Sequence, residues 1–448
     1  MDSTTALFSP FGVIVPEILL PDAARCDYKK WSVIACDQFT SQASYWDGVE
    51  GFVGGAPSAL RLILPEIYLS DGFSGRVADI HKKMDEYLQG DVFGAPFEGF
   101  MLVERTFCDK GGDEYSRWGL VLAIDLEQYS FAPDAKSLIR STEETVCDRL
   151  PPRIGIRRGA ALESPHIKVL VDDSEKLLIE PLSAEAKAGM YEKAYDFELM
   201  ARGGYIRGYR VCGQALDKIA PAFDGLMQKA KTVSNEPMLF AVGDGNHSLA
   251  AAKVFWDEQK SKLPHGGQDS SPARYALVEI INLHSGAVRF EPIHRALYNA
   301  DPSALISELK EYFDIPRRGE LCPPACSDVH SATAQNTHCY EYRLMHGGGD
   351  LLLRIHSPAF DLPVAEMQDF LDYFCAKYPT VRIDYIHGED ELKRLVAEEG
   401  CFCFLLPPVD KNGFFPAIAV NGPMPRKSFS MGEARDKRYY LEARRIAP

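Results

Sequence analysis

The sequence predicts an α/β or α+β protein built from mixed sheets with flanking helices, and three observations carry that expectation. Strand-like apolar runs alternate with stretches of helical spacing along most of the chain. "FMLVERTF" and "RWGLVLAIDL" flank a loop holding Gly111 and Gly112, a hairpin-like pair that a purely doubly wound sheet would not contain. The composition, 46% hydrophobic and 25% charged over 448 residues, is that of a soluble globular chain long enough for two or three domains.

The elements follow in order. "LFSPFGVIVPEILLP" is short strand material broken by proline. Trp31 to Cys36 reads as a buried strand, and Ser41 or Ser44 can cap a helix through Tyr45 and Trp46. Residues 74–90 place Val77, Ile80, Met84, Tyr87 and Leu88 on one helical face, with Gly90 as a stop. After the hairpin, Ser141 to Glu144 fits a capping box that would open a helix. "HIKVLVDD" reads as a strand, 183–200 and 213–231 as helices, 238–242 as a strand and 248–260 as a helix. "RYALVEIINL" is a strand, and "FEPIHRAL" leads to a helix over 302–313. Residues 314–340 are irregular. Then come a hairpin over 340–356, a helix, the strand "RIDYIHG", a helix, the strand "CFCFLLPP" and a basic end. The expected regions are an N-terminal α/β region at 1–136, a central region at 137–313 and a C-terminal α/β region at 314–448.

Charge and cysteine usage narrow the function classes. The net charge of −15 disfavours general nucleic-acid binding but leaves room for a small anionic ligand in a locally positive cleft. No apolar run approaches the roughly 20 residues that span a bilayer, and Met1 to Val15 lacks the layout of a signal peptide, so the expected location is cytoplasmic. The 11 cysteines are an odd, scattered set, which suits reduced thiols. Cys322, Cys326, His330, His338 and Cys339 are too loosely spaced for a tetrahedral zinc site and read as a proline-rich loop. Cys401 and Cys403 read as buried strand residues.

The chemistry-bearing stretch is "LFAVGDGNHSLAAAK". A strand that stops at Gly243-Asp244-Gly245-Asn246-His247-Ser248 and feeds a helix can present free N–H groups and a positive helix end to an anion. Gly243 and Gly245 permit close backbone approach. Asn246, His247 and Ser248 can hydrogen-bond to oxygens, and Asp244 can hold a metal ion or a hydroxyl. An ordinary turn with Ser248 as N-cap explains the same residues, and the stretch matches neither G-x-G-x-x-G nor the Walker pattern. Arg140 can pair with a phosphate and Glu143 can act as base or metal ligand, although a capped helix start explains both. His166, His294 and Arg295 are further candidates for the same polar pocket, while Lys427 reads as part of a solvated basic tail. No G-x-S-x-G nucleophile elbow occurs.

At Asp244-Gly245-Asn246-His247 the sequence resembles the domain-of-unknown-function family number 1015. "CDQFTSQASYW", "RSTEETVCDRLPPR", "ESPHIKVLVDD", "EPIHRAL", "DYIHGEDEL" and "MPRKSFSMGEARDKRYY" extend the likeness over nearly the whole chain. More distantly, the Asp-Gly-x-His turn is similar to that of the ParB/sulfiredoxin superfamily, which includes ADP-dependent free-serine kinases. The resemblance implies a ParB/sulfiredoxin-like core. It also implies a nucleotide-dependent phosphotransferase acting on a small hydroxyl metabolite such as free serine, using ADP or ATP with magnesium. Gly245, Asn246 and His247 would lie at the phosphates; the catalytic candidates are Asp244, His247 and Glu143, the last chosen by its chemistry and not by alignment with the kinases. Arg140, His294 and Arg295 would supply further contacts. Ser248 stands where many such motifs carry arginine, which keeps a non-catalytic, nucleotide- or anion-binding regulatory protein as the alternative.

Overall fold

The computed structural model describes residues 3–69, 72–108, 112–264, 266–324, 339–399, 401–432 and 434–447. The chain divides into two compact units: residues 1–289 together with 431–448, and residues 290–430. This division cuts across the expected regions 1–136, 137–313 and 314–448. The reason is strand pairing, because strands on both sides of residue 136 share one sheet.

In the first unit that sheet has ten strands. They are β1 (Val13–Ile14), β2 (Phe100–Cys108), β3 (Glu114–Asp125), β4 (Tyr129–Ser130), β5 (Ile139–Ser141), β6 (Lys168–Val171), β7 (Glu192–Glu198), β8 (Tyr205–Val211), β9 (Phe240–Asp244) and β10 (Tyr275–Asn282). The order is β7-β8-β2-β3-β10-β6-β9-β5-β4, with β1 beside β3. It is mixed, as expected: β9 runs parallel to β5 and antiparallel to β6.

Alternate side chains of the central strands enter two cores. Phe100, Leu102, Leu120, Leu122 and Ile124 face one, and Met101, Val103, Val121 and Ala123 face the other. The first core is closed by α4 (Ile179–Lys187), α5 (Gln214–Val233) and α6 (Asn246–Lys260), numbered after α1 (Ala43–Val53), α2 (Phe73–Gln89) and α3 (Leu150–Arg157). The second is closed by α1, α2 and the chain end, which contributes Tyr439, Tyr440, Leu441, Ala443 and Ile446. Helix α2 buries Val77, Ile80, Met84 and Tyr87, the face read from the sequence. At about 1.5–3 kcal/mol for each large side chain, that face is enough to hold the helix on the sheet.

The second unit carries α7 (Pro302–Tyr312), α8 (Pro363–Lys377), α9 (Glu389–Glu399) and α10 (Lys411–Asn421). Its strands are β11 (Phe290–Tyr298), β12 (Gly319–Cys322), β13 (Cys339–His346), β14 (Gly349–His356), β15 (Arg382–His387), β16 (Phe402–Leu405) and β17 (Phe429–Met431), the last residue of which is counted with the first unit. They form a sheet in the order β12-β14-β13-β16-β11-β15, with β17 beside β11. Cys401 and Cys403 are buried under α9, beside Leu392 and Leu395. Cys326, His330 and His338 lie outside the described residues. Among the described residues no cluster of metal-ligating side chains occurs, and no helix is long and apolar enough to cross a membrane.

Four local expectations are corrected. Residues Tyr28–Trp31 form a short helix, and the following stretch makes only an isolated bridge from Ile34 to Tyr439. Ser141 caps no helix, because Ile139–Ser141 pairs in parallel with Phe240–Val242 and takes its residues into the sheet. The helix expected over 183–200 ends at Lys187, and Glu192–Glu198 pairs with β8 as an edge strand. The basic chain end is solvated only in part: Arg426, Lys427 and Arg445 are exposed as expected, but Lys437, Arg438 and Arg444 are buried.

Candidate functional site

The turn expected to carry chemistry lies where β9 meets α6. Gly245 takes a left-handed conformation (φ 83°) and is the N-cap residue of the 15-residue helix α6. A Cβ there would lie 3.0 Å from Ile167 Cγ1 and 3.2 Å from Ile167 Cα, so space and dihedral both require glycine. Gly243 is closed in by Leu170 and Met431, which a Cβ would meet at 2.9 and 2.8 Å. Gly243 thus packs on the protein and presents no open backbone surface on that side.

Ser248 is the third residue of α6 and not its cap. Its amide donates to Gly245 O (3.0 Å), and its Oγ lies 2.9 Å from His166 Nε2. His166 Nδ1 lies 2.9 Å from Tyr440 Oη. Tyr440 Oη also accepts a hydrogen bond from Cys36 N (3.2 Å). One consistent proton arrangement therefore runs Tyr440 O–H to His166 Nδ1 and His166 Nε2–H to Ser248 Oγ, leaving the Ser248 proton for a ligand. Burial, and next Asp37, push the Cys36 thiol up to about 12, so it is no thiolate nucleophile. Burial likewise raises Tyr440 well above the ordinary phenol range, with Cys36 adding to it.

The other turn residues hold the neighbouring loop. Asn246 Oδ1 accepts from Ser141 Oγ (2.6 Å), and Asn246 Nδ2 approaches Thr142 Oγ1 at 3.4 Å. His247 Nε2 accepts from Val146 N (3.2 Å). Ser141 Oγ is also 2.9 Å from the carbonyl oxygen of Glu143, so the Glu143 backbone sits beside the first turn of α6. Arg140 points elsewhere, donating to Ser137 O (2.9 Å) and Glu236 O (2.8 Å). His294 and Arg295 belong to the second unit. There His294 Nδ1 accepts from Leu406 N (3.1 Å), and Arg295 donates to Gln368 Oε1 (2.9 Å) and Ile293 O (2.6 Å).

Asp244 ends a row of charged side chains that crosses the sheet on the face of the second core. Arg105 on β2 is in register with Arg117 on β3. Glu279 on β10 is in register with Lys168 on β6, and Lys168 with Asp244 on β9. Glu279 lies in space that a side chain at Gly119 would fill. Residues 435–437 of the chain end cover the row. Arg105 reaches the carbonyls of Lys437 (3.3 Å) and Arg435 (3.2 Å), while Arg117 (3.2 Å) and Lys168 (3.1 Å) share that of Asp436. Arg438 pairs with Glu279 and Glu442 and donates to Pro165 O (2.8 Å).

Two ammonium groups face the Asp244 carboxylate, Lys437 Nζ at 3.4 Å and Lys168 Nζ at 3.9 Å. Burial raises the Asp244 pKa, but Lys437 and Lys168 outweigh it and leave the group below its ordinary value, a carboxylate at neutral pH. Burial, and next Arg117, hold the Lys168 ammonium well below the usual lysine range. Glu66 is paired with Arg153. Burial raises its pKa and Arg153 opposes the rise.

The sequence reading thus found the turn and His166 but not Lys168, Lys437, Tyr440 or Glu66. One signal was available for two of the charges now seen in the row. Lys168 in "HIKVLVDD" and Glu279 in "RYALVEIINL" each interrupt an apolar strand, and a charge in a buried strand needs partners.

These features define a two-unit mixed α/β protein with a polar site at a strand-to-helix turn. The chain belongs to the family described as "Protein of unknown function (DUF1015)", which matches residues 20–374. Among solved structures it is similar to a conserved hypothetical protein from Pyrococcus furiosus, at 10% identity over 72% of this chain and 90% of that one, with a TM-score of 0.33. A free serine kinase in complex with AMP is similar at 10% identity over 72% and 90%, with a TM-score of 0.35. SbnI with C-terminal truncation from Staphylococcus aureus is similar at 9% identity over 70% and 82%, with a TM-score of 0.32. No curated protein matches the chain.

Proposed function

We propose that the first unit binds the phosphates of a nucleotide at the start of α6 and transfers a phosphoryl group to the hydroxyl of a small metabolite, free serine being the acceptor that the motif's resemblance suggests. One observation carries this reading. A left-handed glycine brings the N-terminus of a 15-residue helix to the end of a strand, beside the Ser248 hydroxyl and the His166 imidazole. Backbone N–H groups and the helix dipole favour an anion there. Phosphoryl transfer needs chiefly positioning and charge stabilisation, which such a site can supply.

The residues do not fit a magnesium ion held by the protein. Asp244 is a single carboxylate already facing two ammonium groups. The acceptor's proton would pass to a carboxylate. Glu143, beside the first turn of α6, and Glu66, whose pKa burial raises towards the range useful for a base, are the two candidates. Glu143→Gln and Glu66→Gln, assayed separately, would decide between them.

The first test is thermal shift with ADP, ATP, CTP and GTP at millimolar concentration. Binding to the folded state raises stability by RT ln(1 + [L]/Kd), about 2.7 kcal/mol at 100 times Kd. The expected outcome is a concentration-dependent rise in Tm with at least one nucleotide, and no shift with any of them overturns the proposal. Phosphorus NMR of a binding nucleotide incubated with serine then separates turnover from the second reading, binding alone, which Ser248 in the place of an arginine favours.

A further inference from the structure

We infer that the chain end, residues 434–442, is part of the ligand site, and that Lys437 supplies the cation for the ligand's phosphate that residue 248 does not. This rests on the anion-binding reading above and adds to it the residue and segment that hold the anion.

The chain end reaches the turn at two points three residues apart. Lys437 places its ammonium 3.4 Å from Asp244, the residue before Gly245. Tyr440 places its hydroxyl 2.9 Å from His166, whose other nitrogen is 2.9 Å from Ser248. Between them, Arg438 is fixed by Glu279, Glu442 and the Pro165 carbonyl. The backbone is fixed as well, by Ala35 N on Arg438 O (2.9 Å) and Tyr440 N on Val33 O (2.8 Å). The segment is therefore held in place before any ligand arrives, which lowers the ordering cost of binding.

The charge inventory points the same way. The row and its cover bring together the cations Arg105, Arg117, Lys168, Lys437 and Arg438, all buried. The carboxylates are Glu279 and Glu442, buried, and Asp244 and Asp436, half-buried. Arg438 takes up both buried carboxylates. Arg105 and Arg117 are held by carbonyl oxygens, and Arg117 Nε is buried without a hydrogen-bond partner. Buried charge is costly when uncompensated. With Lys168 protonated, positive charge exceeds negative charge by one on that face; burial and Arg117 disfavour that proton, and an anion at the turn would favour it and balance the charge. Lys437, with a side chain 10% exposed against 0% for Lys168, is the lysine of the pair that a ligand can reach.

Titration calorimetry with pyrophosphate and with ADP tests this on the full chain. Wild type should bind at least one of the two. Lys437→Gln should weaken that binding by about 10- to 100-fold, the worth of a charge-assisted hydrogen bond, and Lys437→Arg should stay near wild type. Equal affinity of wild type and Lys437→Gln overturns the role of Lys437 and leaves the anion-binding reading standing. No binding by wild type overturns both. If Lys437→Gln does not fold, hydrogen exchange on wild type with pyrophosphate gives the answer. Slowed exchange in both 243–250 and 434–441 supports the inference, and slowing confined to 243–250 overturns it.

Discussion

At the scale of single residues, buried charge decides most of what is unusual in this protein. Glu279 and Arg438 form an ion pair in which each side chain is 3% exposed. Removing one partner would strand the other at a cost of about 3–5 kcal/mol, whereas the intact pair contributes little net stability. His294 shows the converse, a titratable group kept neutral. Burial, and next Arg295, lower its pKa from 6.5 to about 4, while its Nδ1 accepts from Leu406 N at 3.1 Å. The unfolded chain binds the proton more readily than the folded one, so stability is fully present above pH 6.5 and falls as pH drops from about 6.5 to about 4. Urea titrations of the wild type should show a loss on the order of 2 kcal/mol across that window. His294→Asn, whose amide oxygen can still accept from Leu406 N, should flatten the slope. An equally steep loss in the variant would remove His294 as its source.

At the scale of elements, the start of α6 is set by one dihedral angle. Gly245→Ala would put a Cβ on a residue at φ 83° and press it against the Ile167 backbone at 3.2 Å. The expected cost is about 1–3 kcal/mol, read as a lower midpoint in chemical unfolding. A midpoint unchanged within error would show that the turn relaxes freely. The elements also show what the sequence makes legible. Apolar strands such as "RYALVEIINL" and amphipathic helices such as α2 were readable, because their periodicity is the packing requirement itself. The Ser141–Glu144 capping box misled, because parallel pairing of Ile139–Ser141 with β9 overrode the local signal. Of the two readings of Ser248, the N-cap fails, because Gly245 already occupies that position and the Ser248 hydroxyl is turned to His166. The site was legible only as its turn and His166. Its other members come from β6, the Cys36 and Glu66 stretches and the chain end, and no spacing within a single sequence brings those together.

At the scale of the whole molecule, the first unit is closed by a segment that the chain reaches only after building the second unit. Residues 431–448 carry Tyr439, Tyr440, Leu441, Ala443 and Ile446 into the second core. They also bring Arg444 to Glu163, with bonds of 2.9 and 2.7 Å, and Arg438 to Glu279. A chain ending at Ser430 would lose these apolar side chains, at about 1.5–3 kcal/mol for each large one. It would also leave Glu163 without Arg444, Glu279 without Arg438, and Arg105, Arg117 and Lys168 without the carbonyls that receive them. Those losses exceed the roughly 5–15 kcal/mol that holds a typical domain folded. The truncated chain should therefore lose the cooperative unfolding transition of the first unit. Limited proteolysis should cut freely within 1–289, while residues 290–430, which carry their own sheet and helices, resist. A synthetic peptide of residues 431–448 added in excess should restore protection of 1–289, because its partners Glu163, Glu279 and Val33 are still present in the truncated chain. Full protection of 1–289 without the peptide would show that the chain end is an appendage and not a structural member of the first unit.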